Sequence, residues 1–444
     1  MAESYDAIVI GAGVAGVVCA EDLAAGGMKV AVCERELVAG ECGYWACIPS
    51  KTLLRPGEVL SEARQAPGAR EAISGPINVK EALGWRNFQV SDWDDSHQAE
   101  ALTESGVELR RGDARLNGPS EVEIDGKLLE TKRLIVATGS DPMIPPIDGL
   151  GELDDVWTNR EATALTEIPQ RLIVLGGGPV GVELGQALSR LGASVAIAEE
   201  EDRLLPNEAP ALGEALFEAL SGEGIELRLG VKASSAEPRG DGYSLSFEDG
   251  TELRGNELLV ATGRKPRVYG FGLDSAGIDP DGAKKGIEVD ERMRAADGVW
   301  AIGDVTGIWP FTHVGKYQGR VAAADILGRD VVADYRAVPR VVFTDPQIAA
   351  VGEQDGPSSG TAQLDSISRT STYSREYDKH PGFLTVVSDG NKLIGAHAVG
   401  PEAGEWLQQA TLAIKAEVPV EILRQTIQPY PTFSEAFVYA LKDL

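Results

Sequence analysis

Two cysteines stand five residues apart in the stretch Gly40-Glu41-Cys42-Gly43-Tyr44-Trp45-Ala46-Cys47-Ile48-Pro49-Ser50-Lys51. The chain has only 4 cysteines in 444 residues, too few to staple a protein of this size. In a reducing compartment a close pair of thiols is then catalytic or metal-binding. A metal would need further cysteine or histidine ligands, and His97, His313, His380 and His397 show no ligand spacing, so no metal is expected. Cys19 and Cys33 fall inside an expected helix and an expected strand, where the role of a small buried apolar residue suits them.

The pair must be held by what precedes it, and what precedes it is one half of a repeat. Ala7-Ile8-Val9-Ile10-Gly11-Ala12-Gly13-Val14-Ala15-Gly16 is echoed by Leu172-Ile173-Val174-Leu175-Gly176-Gly177-Gly178-Pro179-Val180-Gly181. Each is an apolar strand entering G-x-G-x-x-G, followed by a helical stretch and a second apolar strand closed by an acid, Glu34 or Glu199. Both acids lie 23 residues past the first glycine. Gly11 and Gly176 would make the tight turn, Gly13 and Gly178 would let backbone approach a pyrophosphate, and Gly16 and Gly181 would let helix pack on strand. The helix N-terminus opposes the phosphate charge, and the acid accepts ribose hydroxyls. A ligand bound across the first unit would place its far end beside Cys42 and Cys47, where a helix N-terminus stabilises a thiolate.

A second repeat, Leu134 to Gly139 and Leu258 to Gly263, reads as two apolar strands each ending in Ala-Thr-Gly, at Ala137-Thr138-Gly139 and Ala261-Thr262-Gly263. These are the expected late strands of the same two units. Composition shifts rich in Pro, Asp and Gly bracket the second unit, giving a first unit over residues 1–152 and 268–334 and a second over 153–267. From residue 335 to 444 the strand and helix patterns change to a separate α+β domain. The formal charge of -28 sets up a field repulsive to nucleic acid and anionic lipid. No apolar run approaches the roughly 20 residues of a membrane helix, and a strand pattern begins by about Tyr5, so a cytoplasmic protein is expected.

The combination of Cys-x4-Cys-Ile-Pro-Ser-Lys after a strand, two dinucleotide folds, and Ala301-Ile302-Gly303-Asp304 resembles the pyridine nucleotide-disulfide oxidoreductases over nearly the whole chain. The resemblance implies an α/β protein with two Rossmann-like dinucleotide-binding domains, the first for FAD and the second for NAD(P)H, plus a C-terminal α+β dimerisation domain. It implies FAD contacts at Gly11, Gly13, Gly16, Glu34, Ala114, Thr138, Gly139, Asp304 and His313, and nicotinamide-nucleotide contacts at Gly176, Gly178, Gly181, Glu199 and Gly263. Lys51 would stand near flavin N5, paired with Glu183. Cys47 would be the sulfur beside the flavin, and Cys42 the outer one that meets substrate. Glu199 is followed by Glu200 and Glu201 where a 2'-phosphate would need arginine, so NADH is expected over NADPH.

The chain departs from the resembled disulfide reductases at Tyr430-Pro431-Thr432-Phe433-Ser434-Glu435, where they carry His-Pro-x-x-x-Glu reaching across a dimer. Imidazole shuttles protons near neutrality; a phenol, with a reference pKa of about 10, is mainly a donor. The expectation is therefore a homodimer that reduces a sulfur-containing small molecule, an unusual disulfide, with Tyr430 and Glu435 at the acceptor. Mercuric or quinone reduction and thioether cleavage are the alternatives within enzymes, and a redox sensor or complex subunit the alternative outside them. Neither nucleic acid nor membrane is an expected partner.

Overall fold

The computed structural model describes residues 3–373 and 382–444, so His380 lies outside the described residues. The chain divides into two compact units, one of Met1–Pro49, Arg86–Met143 and Gly263–Asp334, the other of Ser50–Trp85, Ile144–Thr262 and Tyr335–Leu444.

The first unit is built on a sheet with strand order Arg294–Ala296, Val299–Ala301, Leu134–Val136, Ala7–Ile10, Val30–Glu34, Val107–Arg111. All neighbours after the first pair run parallel. Ala7–Ile10 and Leu134–Val136 are buried along their whole length, and this is why they read as continuous apolar runs: a parallel strand covered on both faces has no polar side to show. The helices Val14–Ala25 and Thr312–Ile326 cross closely because Gly319 lacks a side chain; a Cβ there would lie 2.7 Å from the Ala15 carbonyl oxygen. A smaller sheet of Glu3–Ser4, Lys127–Glu130, Glu121–Ile124 and Ala114–Leu116 adds Leu116, Val122, Ile124 and Leu129 to the core around Ile8, Ile10 and Val136.

The second unit repeats the plan with the parallel sheet Glu226–Arg228, Ser194–Ala198, Arg171–Leu175, Glu257–Val260. A three-stranded antiparallel sheet packs on it through Leu245, Phe247 and Leu253. The C-terminal region is a five-stranded antiparallel sheet, in the order Pro339–Val342, Gln347–Gly352, Leu393–Gly400, Phe383–Ser388, Ser358–Gln363. Helices cover it through Ala410, Ile414, Phe437 and Leu441. This is the expected α/β class with two dinucleotide-type sheets and an α+β C-terminal region.

One face of the helix Pro179–Arg190 explains why the nucleotide-type sheet and the C-terminal region form one unit. Glu183, Gln186 and Arg190, spaced to share a helix face, reach the segment 343–345: Glu183 accepts from the Phe343 N–H, Gln186 bonds both backbone groups of Asp345, and Arg190 pairs with the Asp345 carboxylate.

Candidate active site

In both glycine loops the positions divide by what surrounds them. Gly11 and Gly176 have φ of +105° and +116°, and a Cβ would lie 2.4 Å from the Ala137 oxygen in one and 2.5 Å from the Ala261 oxygen in the other. Those carbonyls belong to the two Ala-Thr-Gly turns, so the repeated turn and the repeated first glycine are one packing arrangement. A Cβ at Gly16 or Gly181 would lie 2.0 Å from the carbonyl of the first glycine of its own loop. At Gly13 and Gly178 a Cβ would meet nothing within 4 Å. Backbone with open space in front of it, at the start of a helix, suits the approach of a pyrophosphate.

The acids complete the parallel. Glu34 accepts from the Ala12 N–H at 2.6 Å and the Glu36 N–H at 2.7 Å; Glu199 accepts from the Gly177 N–H at 2.6 Å and the Glu201 N–H at 2.9 Å. Each carboxylate is thus oriented by its own loop. A carboxylate has about four lone-pair sites, which leaves acceptor capacity for ribose hydroxyls.

Cys42 lies in the short helix Gly40–Tyr44 and Cys47 begins the helix Cys47–Gln65, so the five-residue spacing folds the two thiols together. The Cys42 thiol is pushed well up, first by its hydrogen bond to Cys47 and then by burial, against the Thr312 hydroxyl and the Lys316 charge. The Thr312 Oγ1 is also 3.3 Å from the Cys47 Sγ. Cys47 stands at the first position of its helix, where the unpaired backbone N–H groups face the pair. Thr312 and Lys316, one turn apart on the helix Thr312–Ile326, carry no local sequence signal for this role. They stand more than 260 residues away, and only the fold brings them in. Among the described residues no group of three or more His, Cys, Asp or Glu could hold a metal ion.

Lys51, one helical turn after Cys47, has its Nζ 2.6 Å from the Glu183 Oε2, and the Glu183 side chain is 6% exposed. A solvated helix glutamate would not be buried in this way. Asp304 accepts at 2.6 Å from the Ser140 hydroxyl, which in turn accepts from the Arg264 Nε at 2.7 Å; Arg264 also grips the Ser140 carbonyl and lies 3.8 Å from Glu41, next to Cys42. Arg264 and Ser140 thus orient Asp304, a support that sequence reasoning missed. Thr138 donates to the Arg267 carbonyl at 2.8 Å, Gly139 takes φ +75°, and Gly263 takes φ +123° with its carbonyl bonded to the Met143 N–H. Gly139 and Gly263 shape the turns through their backbone, while Thr138 ties its turn to Arg267 through its side-chain hydroxyl. Ala114 starts an antiparallel strand. His313, exposed at the first turn of its helix, stacks on Phe311 at 5.3 Å, which stacks in turn on Trp309 at 6.2 Å.

Tyr430 is 72% exposed. Glu435, in the turn Phe433–Glu435, receives the Tyr439 hydroxyl at 3.4 Å through Oε1, while its Oε2 is buried without a hydrogen-bond partner among the described residues.

The profile of a family described as pyridine nucleotide-disulphide oxidoreductase matches residues 5–319, and the profile of that family's dimerisation domain matches residues 338–441. The chain is 36% identical to a dihydrolipoyl dehydrogenase of Thermus scotoductus, over 100% of this chain and 98% of the relative. It is 33% identical to a mercuric reductase of Staphylococcus aureus, over 98% of this chain and 82% of that one. Among solved structures, LpdA from Mycobacterium tuberculosis superposes with a TM-score of 0.83 at 28% identity, over 98% of this chain and 99% of that one. The HOCl-induced flavoprotein disulfide reductase RclA from Escherichia coli shares the fold, with a TM-score of 0.85 at 24% identity over 99% of each chain. The chain belongs to the pyridine nucleotide-disulphide oxidoreductases, a family of enzymes that depend on FAD and a pyridine nucleotide.

Proposed function

We propose that NADH drives this enzyme to reduce a sulfur-containing acceptor, an unusual disulfide, through the Cys42–Cys47 pair. The observation that carries the reading is the pair itself: two thiols hydrogen-bonded to one another, flanked by the Thr312 hydroxyl and the Lys316 charge. In this reading residues 1–152 with 268–334 hold FAD, 153–267 hold the nicotinamide nucleotide, and 335–444 form the subunit contact of a homodimer. FAD held there would supply the two-electron chemistry that links the nicotinamide to reduction of the Cys42–Cys47 disulfide.

The chain's own thiols do the rest. The Cys42 sulfur attacks one sulfur of the acceptor, forming a mixed disulfide and releasing the first product thiol. Cys47 then attacks the Cys42 sulfur, closes the protein disulfide and releases the second product thiol. Cys42 gives up its proton as it attacks and Cys47 gives up its proton as it closes the disulfide; these two protons, relayed to the leaving sulfurs, complete the two product thiols, so atoms and electrons balance. Lys51, fixed by Glu183, supplies a positive charge one turn from Cys47. Gly11, Gly13, Gly16 and Glu34 shape the first dinucleotide loop, and Asp304, held by Ser140, would contact FAD together with Ala114, Thr138, Gly139 and His313. Gly176, Gly178, Gly181, Glu199 and Gly263 shape the second.

NADH is favoured because an added 2'-phosphate would meet Glu199, Glu200 and Glu201. Arg203 is engaged elsewhere: it donates to the Pro206 carbonyl at 2.8 Å and lies 3.7 Å from the Asp202 carboxylate. Tyr430 from the opposite subunit would donate a hydrogen bond or proton to the leaving sulfur. Its exposure, the buried unbonded oxygen of Glu435, and Ile427 at 94% exposure all support a partner over this surface. Among the described residues no helix is long and apolar enough to cross a membrane.

The test is an anaerobic NADH titration followed by iodoacetamide labelling and peptide mapping. New labels at both Cys42 and Cys47 are expected, and NADH oxidation without new thiols would end this reading. A panel of disulfides, mercuric ion and quinones then identifies the acceptor class.

A further inference from the structure

Glu183 is engaged on both oxygens: Oε2 holds the Lys51 ammonium at 2.6 Å and Oε1 accepts from the Phe343 N–H at 2.8 Å. The ring of that same Phe343 lies with its centroid 4.7 Å from the Lys51 Nζ. Ammonium, carboxylate and ring thus close a triangle, with one corner on the helix Cys47–Gln65, one on the helix Pro179–Arg190 and one on the segment after the strand Pro339–Val342.

The backbone under the ring is bolted down. Gln186 bonds the Asp345 N–H and carbonyl, both at 2.8 Å, and Arg190 holds its carboxylate at 2.8 Å. Yet Phe343 itself is 40% exposed. A ring placed this firmly, and left this open, is not explained by core packing.

We propose that Phe343 is a positioning residue for the Lys51 charge. A lysine carries its ammonium on a flexible four-carbon stem, and a single carboxylate leaves that charge free to pivot about the contact. The ring face attracts the cation from a second direction and shields one side of the pair from water. The charge then stands at a defined distance from whatever reacts beside it, and a Coulomb interaction depends on that distance directly. This rests on the reading that Lys51 serves the redox step.

The experiment uses the FAD-loaded full chain and the variants Phe343→Leu, Phe343→Tyr, Lys51→Met and Phe343→Leu/Lys51→Met. Two quantities are read: the rate of trinitrobenzenesulfonate labelling of Lys51 by peptide mapping, and NADH-dependent ferricyanide reduction. Phe343→Leu should label Lys51 about fivefold faster and slow turnover by a similar factor, with Phe343→Tyr restoring both. In the Lys51→Met background, Phe343→Leu should slow turnover no further, because the coupled partner is gone. A Phe343→Tyr protein as impaired as Phe343→Leu, or a Phe343→Leu effect that persists in Lys51→Met, would overturn the proposal. If Lys51→Met leaves turnover intact, the redox reading of Lys51 falls, and the labelling rates alone decide whether Phe343 positions it.

Discussion

Gln186 and Asp345 are joined twice: the Gln186 Nε2 donates to the Asp345 carbonyl and its Oε1 accepts from the Asp345 N–H, each at 2.8 Å. A carboxamide presents a donor and an acceptor side by side, so one fully buried side chain satisfies both backbone groups of a residue in another sequence region. Gln186→Leu keeps the volume and strands both groups, at a cost of about 2 kcal/mol. The expected outcome is faster hydrogen exchange at the Asp345 amide and a lower unfolding temperature. Unchanged exchange at Asp345 would mean that the grip is not what joins the two regions.

The second glycine loop separates a ligand role from a packing role. Gly181→Ala would drive a Cβ to 2.0 Å from the Gly176 carbonyl, which is backbone and cannot move cheaply, so this variant should be unstable or insoluble. Gly178→Ala meets nothing within 4 Å and should fold with a near-normal melting temperature. It should nonetheless weaken NADH binding by about tenfold or more, because the methyl group occupies the path of the pyrophosphate. Calorimetric titration with NADH checks this, and normal affinity in Gly178→Ala would remove the loop from the binding site.

That contrast also marks what was legible in the amino-acid order. The glycine loops, their strands and the acids at Glu34 and Glu199 are local: each demands a residue type at a fixed offset, so the two dinucleotide-type sheets are legible in the amino-acid order alone. Lys51 and Glu183, 132 residues apart, were paired by resemblance and not by any spacing. Thr312, Lys316, Arg264 and Ser140 were missed because a hydroxyl or a cation on a helix or loop looks the same whether it faces water or a thiol. The grip of Gln186 on Asp345 was missed for the same reason, and with it the physical tie between the regions 153–267 and 335–444.

Acid should destabilise the protein through His397. Burial, with the Arg340 charge second, pushes this imidazole down to about 4 from an ordinary value of 6.5. The folded protein therefore holds it neutral while the unfolded chain takes up a proton below about pH 6.5. Its contribution is present above that pH and is lost as pH falls toward 4, amounting to about 2 kcal/mol by pH 5. His397→Leu should flatten that part of the stability-versus-pH curve between pH 6.5 and 4, measured by denaturant unfolding. A curve of unchanged slope would mean that another group controls acid stability.

Tyr430 should matter to the acceptor and not to the nucleotide. Its ring is exposed in the single chain, and the neighbouring Glu435 keeps a buried oxygen without a hydrogen bond, an arrangement that is costly unless something outside the described chain completes it. In the proposed homodimer the phenol faces the partner's Cys42. Tyr430→Phe removes one oxygen and keeps the ring, so subunit packing should survive while the donor to the leaving sulfur is lost. A hydroxyl that acts only in the transition state lowers kcat and kcat/KM together, by about tenfold or more for a lost hydrogen bond to developing charge. The rate at which NADH generates the Cys42–Cys47 dithiol should be unaffected. Tyr430→His is the complement: an imidazole that exchanges protons near neutrality should raise turnover on ordinary disulfides and introduce a pH dependence near 6 to 7. If Tyr430→Phe leaves acceptor reduction untouched while Glu435→Gln also leaves it untouched, the proton reaches the leaving sulfur from elsewhere, and this surface serves subunit packing alone.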